Sequence, residues 1–457
     1  MKRREFLVLG GVAAVAPSMI HGADESRRSA AGAAVREPAR DIPVSGQYDV
    51  VVSGAGPAGV MAAIAAAKRG AKTVLIEQHG CLGGIWTAGL LAYILDYNNK
   101  GGEMKEFLSR LQVRNAHVKN SKGHYTAACD VESCKITLEE MCAEAGVQIA
   151  YHTRVCAALR NGRIITHVLT ESKSGRMAVA AANFIDATGD GDLGFYAGCS
   201  FELGHPESKL MQPMSLIALV GGIQAPQILD FFRDGSRDQS WALPKTNLKN
   251  AMEAGGHSPS YASPSLFRVR DDLFILMANH EYKVSGTCAQ DLTAATLRAR
   301  KELNNLIDGL RSTGGVWKEI TLIATAEQIG VREGRRLKGL YTISDDDIRT
   351  GRKFDDGICP VTFGIDVHSL DPSKNKSIEG KEWHSKPYDI PLRSLIAADV
   401  DNLLFAGRCI SGEFLPHSSY RVTGNAAAMG EAAGKTAAAA AARSVTPAKV
   451  PFEEIQG

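Results

Sequence analysis

Hydrophobic and polar positions alternate in blocks along the chain, and the blocks change period. The run Asp49-Val50-Val51-Val52-Ser53 is β-branched and almost wholly apolar, the pattern of a strand buried on both faces. An alanine-rich helical segment follows over residues 60–69, with Gly70 at its end, and Thr73-Val74-Leu75-Ile76 gives a second buried strand. An amphipathic helix is predicted over 136–145 and a strand over 148–155. A further strand is predicted over 183–187, and another over 402–406 runs into a turn that ends at Cys409. Between them, residues 200–390 read differently. Strands at 216–220 and 273–278 precede a helix over 289–310, whose Leu292, Ala299, Leu303, Leu306 and Leu310 form one apolar stripe. A final helix over 426–442 is mostly alanine, with Gly430 and Gly434. Strand–helix–strand alternation of this kind predicts an α/β chain built on a parallel sheet.

The first 22 residues follow another grammar. Arg3-Arg4 precedes Glu5-Phe6-Leu7, and the apolar stretch 6–16 is too short to cross about 30 Å of bilayer as a helix. Small residues around Gly22 and Ala23 offer a cleavage site. Residues 1–22 therefore read as a signal peptide, and the RR-x-F-L order resembles the twin-arginine export signal, which implies a periplasmic or otherwise exported protein. Residues 23–46, rich in Ala, Arg, Ser, Glu and Pro, read as a linker. No other stretch is apolar over 18 residues, so no integral membrane span is expected.

Composition narrows the classes. The formal charge is +2 over 457 residues, and the signal segment supplies it: without Lys2, Arg3, Arg4 and Glu5 the chain is balanced. Binding nucleic acid through bulk charge is excluded as an expectation. A hydrophobic content of 44% with balanced charge excludes a disordered body. Nine cysteines are scattered without any CxxC, so neither a zinc ribbon nor a locally encoded iron–sulfur cluster is expected, and no metal site is assigned.

The chemistry begins where the first strand ends. Gly54-Ala55-Gly56-Pro57-Ala58-Gly59 is a GxGxxG loop between a strand and a helix, with Glu77 closing the next strand. Gly54 permits the tight turn, Gly56 lets backbone approach a pyrophosphate, and Gly59 lets helix and strand pack closely. The helix N-terminus supplies amides and positive dipole to phosphate, and Glu77 suits ribose hydroxyls. Gln78 joins this contact set. A second glycine loop, Gly80-Cys81-Leu82-Gly83-Gly84-Ile85-Trp86, follows at once. A nicotinamide dehydrogenase, the alternative for a dinucleotide site, has no need of it.

With that loop the chain resembles FAD proteins of the glutathione-reductase-like superfamily. The A-T-G turn at Ala187-Thr188-Gly189-Asp190 resembles a later FAD-contacting strand end. The segments IPLRSL, NLLFAGRCIS, RVTGNAAAMGEAAG and IGVREGRRLKGLYTIS make the likeness specific. They resemble the FAD-dependent oxidoreductase family that includes the flavin region of heterodisulfide reductase A, with fumarate reductase flavoproteins as more distant relatives. The resemblance implies a Rossmann-like FAD-binding domain, a central parallel sheet plus a β-meander, with an inserted α+β substrate or cap domain. It assigns residues 47–200 and 391–445 to the FAD domain, 201–390 to the cap and 446–457 to a tail. It implies contacts to non-covalent FAD from Gly83, Gly84, Trp86, the Val155 backbone, Thr188, Gly189, Asp190, Gly407, Arg408, Gly424 and Asn425.

What is lacking shapes the expected reaction. There is no redox dithiol and no second GxGxxG unit for NAD(P)H, so hydride exchange between flavin and a small organic substrate is expected, with an unidentified electron acceptor. An electron-relay subunit is the alternative. His417-x-x-x-Arg421-x-x-Gly424-Asn425 resembles a fumarate reductase segment whose arginine clamps a carboxylate. Arg421 either does this or shapes its loop. His417 serves either as an acid/base or as a structural histidine. Arg332 and Arg336, in Arg332-Glu333-Gly334-Arg335-Arg336, form an internal ion network or meet an anionic substrate, and His368 is placed near the same pocket. Asp345-Asp346-Asp347 is read as a solvated turn or helix cap ahead of the alternative, a cation site.

Overall fold

Strand β1 (Val44–Ser53) starts inside the segment expected to be linker, because its first half pairs with a strand more than a hundred residues away. The computed structural model describes residues 35–235, 240–379 and 383–456, so the export signal at 1–22 lies outside the described residues. The chain divides into Met1–Arg40 and Asp41–Gly457. Of the first unit only 35–40 are described, and these hold no helix or strand.

In the second unit β1 leads into α1 (Pro57–Lys68), which begins earlier than its alanine pattern predicts because Pro57 stands at the first helical position behind the extended Gly56. β2 (Thr73–Ile76), α2 (Gly102–Val113) and the hairpin β3 (His117–Lys119) and β4 (Tyr125–Cys129) follow. Helix α3 (Val131–Ala145) also starts before the predicted 136, at Asp130, whose side chain accepts the Ser133 amide. The strand expected over 148–155 is two strands. β5 (Gln148–Ala150) stops at a turn where His152 has φ 49°, and Val155 belongs to β6 (Arg154–Asn161). β7 (Ile164–Ser172) and β8 (Gly175–Asp186) complete an antiparallel meander with β6.

Beyond α4 (Asp192–Tyr196) and the short β9 (Phe201–Glu202) the cap begins. It holds β10 (Ala218–Gly221), α5 (Ala242–Ala254), β11 (Ser265–Arg270), β12 (Leu273–Met277), α6 (Ala289–Ser312) and β13 (Thr321–Thr325). The four strands form an antiparallel sheet in the order β11-β12-β10-β13. Helix α6 lies on β13 with Ala299, Leu303, Leu306 and Leu310 of the predicted stripe buried and Leu292 half-buried. β14 (Arg336–Leu337) pairs back onto β9. Helix α7 (Asp345–Thr350) is capped by Ser344 and Asp347 reciprocally, so the three aspartates form a helix start. β15 (Gly357–Val361) and β16 (Tyr388–Pro391) form a hairpin, and the chain then returns to the first sheet through β17 (Leu403–Phe405), α8 (Phe414–Tyr420) and α9 (Thr423–Arg443).

The main sheet runs β5-β2-β1-β8 in parallel, with β17 added in parallel along the end of β8. The architecture is thus the α/β one expected. Chain order reverses direction at β1, so β2 and β8 leave a crevice beyond its carboxyl end. Glycine lets α9 press onto α1: a Cβ at Gly430 would stand 1.9 Å from the Ala58 carbonyl oxygen, and one at Gly434 2.1 Å from that of Ala62. The alanine-rich faces are therefore a close-packing surface, and they fix where the N-termini of both helices point.

Candidate cofactor and substrate site

A cavity of about 270 Å³ opens in that crevice. Its floor is Gly54, Gly56, Pro57 and Ala58, the loop that ends β1 and starts α1. Gly54 has φ 90°, and a Cβ there would fall 2.6 Å from the Ala187 carbonyl oxygen, so the turn requires glycine. At Gly56 a Cβ would meet nothing within 4 Å. Its missing side chain leaves room on the cavity side. Gly59 is a packing position, where a Cβ would stand 1.8 Å from the Gly54 carbonyl oxygen.

One end of the cavity is lined by Glu77, Gln78, His79, Thr153, Arg154 and Val155. The Glu77 carboxylate accepts the Ala55 amide at 2.7 Å and the His79 amide at 2.8 Å. These contacts lock its position and leave lone pairs on both oxygens for ligand hydroxyls. Ala55 thus acts through its amide and does not line the cavity. Gly83 likewise supports: its amide donates to the Ala55 carbonyl at 2.8 Å, which carries Gly84 across Gly56 and into the wall.

The opposite wall is Ala187, Thr188, Gly189, Gly407 and Arg408. Asp186, overlooked in the sequence, builds this wall. It accepts the Thr188 hydroxyl at 2.7 Å and the Gly194 amide at 2.7 Å, and its burial pushes the carboxyl up to about 6. Asp190 faces Arg408 at 2.9 Å and joins the two loops from outside the cavity.

The far end carries cations. Arg421 and Arg332 both line it, with Ser215, Met277, Gln328 and Val331. Arg421 donates through Nη2 to the Asp366 backbone oxygen at 2.8 Å and to its carboxylate at 3.1 Å. Arg332 donates to the Pro213 carbonyl at 2.7 Å and to Ser215 Oγ at 2.9 Å, and it makes no ion pair among the described residues. Burial, reinforced by the Arg421 charge, pulls Arg332 down to about 10, which leaves it charged at neutral pH. Burial pushes the Asp366 carboxyl up, but the His368 contact and the two guanidiniums outweigh it, and the group is held well below the carboxylate range.

Several expected contacts lie elsewhere. Trp86 is fully buried and stacks on Phe107 at 5.3 Å in the core, away from the cavity; its size made it the natural filler behind the glycine loop. His417 is fully buried behind the wall, without a well-formed hydrogen bond. Burial and the Arg336, Arg421 and Arg408 charges hold it neutral, so it has no acid/base position here. Arg336 is an internal ion pair, 2.6 Å from Glu333. Gly424 is needed for packing, since a Cβ would stand 2.5 Å from the Leu95 and Asp96 carbonyl oxygens, and Asn425 receives the Cys359 thiol at 3.8 Å. His368 does not line the cavity; it lies 3.4 Å from Asp366, which in turn holds the wall residue Arg421. His280, Asp366 and Ser215 carry no sequence signal strong enough to group them, because three separate segments bring them together.

The cavity fits FAD by its own chemistry. It runs unbroken from Glu77 to Arg421, past the N-termini of α1 and α9, and Val422, Thr423 and Ala426 at the second terminus line it. Three buried polar atoms on its wall have no partner: Ser53 Oγ, Thr423 Oγ1 and Arg421 Nε. Such groups are costly to bury unless a ligand satisfies them.

Comparison with known proteins agrees with this chemistry. Residues 49–457 match the family described as FAD dependent oxidoreductase. A dihydrolipoyl dehydrogenase of Trypanosoma brucei brucei is 53% identical over 45 residues, which is 10% of this chain and 9% of that enzyme. Among solved structures, the flavin-dependent brominase Bmp2 triple mutant is 13% identical with a TM-score of 0.48, covering 89% of this chain and 82% of its own. A geranylgeranyl bacteriochlorophyll reductase-like protein from Thermoplasma acidophilum is 15% identical with a TM-score of 0.43, covering 87% and 78%. The match over 49–457, on a fold whose cavity suits the cofactor, places this chain in the FAD dependent oxidoreductase family, with FAD as its cofactor.

Proposed function

We propose that this oxidoreductase exchanges a hydride between flavin N5 and a small organic anion, and that it does so after export. The observation that carries the anion is Arg332. A guanidinium inside a cofactor cavity without an ion pair is a standing positive charge, and Arg421, 2.8 Å from the Asp366 carbonyl, keeps Nε unpartnered. A guanidinium fork suits a carboxylate, which takes its paired N–H donors, and the guanidinium itself is weakly hydrated and loses little by being buried.

Bound FAD supplies a two-electron donor and acceptor. The chain's own residues bind and orient. Arg332 is fixed by Pro213 and Ser215, and Arg421 by Asp366, so neither has to reorganise when an anion arrives. Ile85, Leu91, Val331 and Met277 keep the cavity lining apolar between them, which strengthens each charge contact. The export part of the proposal rests on residues 1–22, and kinship with the flavin region of heterodisulfide reductase A rests on the quoted segments.

Anaerobic holoenzyme screened against small mono- and dicarboxylates tests the reading. One class should perturb and then bleach the visible flavin band. Arg332→Met should keep FAD and weaken that binding by roughly 1–3 kcal/mol, the worth of a charge-assisted pair. Carboxylates without effect, alongside rapid electron exchange with a redox protein, would favour the relay instead.

A further inference from the structure

Residues 91–95 run along the cavity as an extended segment. The Ile94 amide donates to the Ala127 carbonyl at 2.7 Å and the Cys129 amide to the Ala92 carbonyl at 2.8 Å, so Tyr93 is bridged to Ala128 and held from both sides. Side chains alternate along it: Ala92 and Ile94 are fully buried, while Leu91, Tyr93 and Leu95 line the cavity. One end is tied to the second glycine loop, where the Leu91 amide donates to the Ile85 carbonyl at 2.9 Å. The other is tied to the first turn of α9, where the Leu95 carbonyl accepts the Gly424 amide at 3.0 Å. Tyr93 therefore stands between the glycine loop and the N-terminus of α9, with Phe267 of β11 stacked on its ring at 4.0 Å.

Its phenol is the free acid of the cavity. Among the described residues on the wall, the side chains that exchange protons are Glu77, His79, Asp192 and Tyr93, since arginine keeps its proton. Glu77 holds two backbone amides, and His79 lies beside it at the same end. Asp192 is ion-paired to Arg335 at 2.8 Å. The Tyr93 hydroxyl has no hydrogen-bond partner among the described residues, and the side chain is half-buried. Burial pushes the phenol up, and the Arg233 charge draws it back. The group is therefore protonated at neutral pH, and Arg233 steadies the phenolate that remains when the proton leaves.

We infer that Tyr93 is the catalytic acid and base that exchanges a proton with the substrate while the hydride is exchanged. A hydride added to the carbon of a C=O or C=C bond breaks the π bond and leaves the neighbouring atom with an electron pair and no proton. Tyr93 Oη gives its proton to that pair, and water returns one to the phenolate. The substrate gains two electrons, as the hydride, and one proton. In the opposite direction the phenolate takes the proton from the atom beside the carbon that loses hydride, and passes it to water. Arg332 and Arg421 hold the carboxylate and cannot do this, because neither gives up its proton. The role rests on the hydride reading above. It narrows the substrate to a carboxylate that interconverts between hydroxy and oxo forms, or between saturated and unsaturated ones.

Tyr93→Phe, with FAD content retained, tests the role and keeps a ring on Phe267. Time-resolved flavin fluorescence of the holoenzyme needs no substrate. A tyrosine beside the excited isoalloxazine quenches it by electron transfer and a phenylalanine does not, so the decay should lengthen several-fold. An unchanged decay would overturn the inference even if the carboxylate screen succeeds. Anaerobic stopped flow then uses a carboxylate that bleaches the wild-type flavin in that screen. In Tyr93→Phe it should perturb the flavin band at the same concentration as in wild type, whereas bleaching should slow roughly a hundred-fold or more. Bleaching at the wild-type rate would overturn the inference and leave the hydride reading standing. A wild type that no carboxylate bleaches would remove the hydride reading and the proton role together, and a lengthened decay would then mark Tyr93 as a wall of the flavin site only.

Discussion

Arg408 Nη1 donates to Asp190 Oδ1 at 2.9 Å, and this ion pair ties the Thr188-Gly189 turn to the Gly407 turn on the same wall of the cavity. Burial pushes the Asp190 carboxyl up while Arg408 draws it back, so the charge depends on its partner. Arg408→Leu should cost about 2 kcal/mol, intermediate between an exposed pair and a fully buried one. Denaturant titration of the Arg408→Leu, Asp190→Asn double variant should recover part of that loss. A double variant as unstable as the sum of the singles would mean the two residues act independently.

The glycine loop separates cofactor binding from folding. A Cβ at Gly56 enters open space on the cavity side, whereas one at Gly59 would stand 1.8 Å from the Gly54 carbonyl oxygen. Gly56→Val should therefore yield a folded, colourless protein, and Gly59→Ala should lose about 3 kcal/mol or more through backbone displacement. Circular dichroism with flavin absorbance distinguishes them; full FAD occupancy in Gly56→Val would place the pyrophosphate elsewhere.

Acid should weaken the cap through its buried histidines. His368 titrates at about 4 in the folded chain, against 6.5 when unfolded. Between those values the unfolded state binds the extra proton. Stability is therefore complete above about 6.5 and falls as pH drops towards 4. Asp186, raised to about 6, has the opposite sign: its contribution is present at low pH and lost as pH rises through 6. The two oppose each other in wild type, so the useful quantity is a difference. The stability gap between wild type and His368→Gln, measured by urea titration, should shrink by about 2 kcal/mol from pH 7 to pH 5. A gap independent of pH would show that His368 is not held neutral by the fold.

Patterning of the chain alone determined much of this protein. The Val50-Val51-Val52 strand, GxGxxG, the Glu77 acid and the alanine helix encode the Rossmann-like sheet and its cofactor loop, because strand burial and glycine backbone freedom act over a few residues and leave local marks. Only tertiary structure decided which polar residues face the cofactor. Trp86 follows the Gly83-Gly84 pair and His417 belongs to the segment that leads to Gly424, yet packing turned both into the core. Arg332 and Arg421 lie far apart in sequence and line the same cavity only in the folded chain, where Asp366, from a third segment, holds Arg421. A charge finds its partner through distance in space, and distances of that kind depend on the whole folded chain.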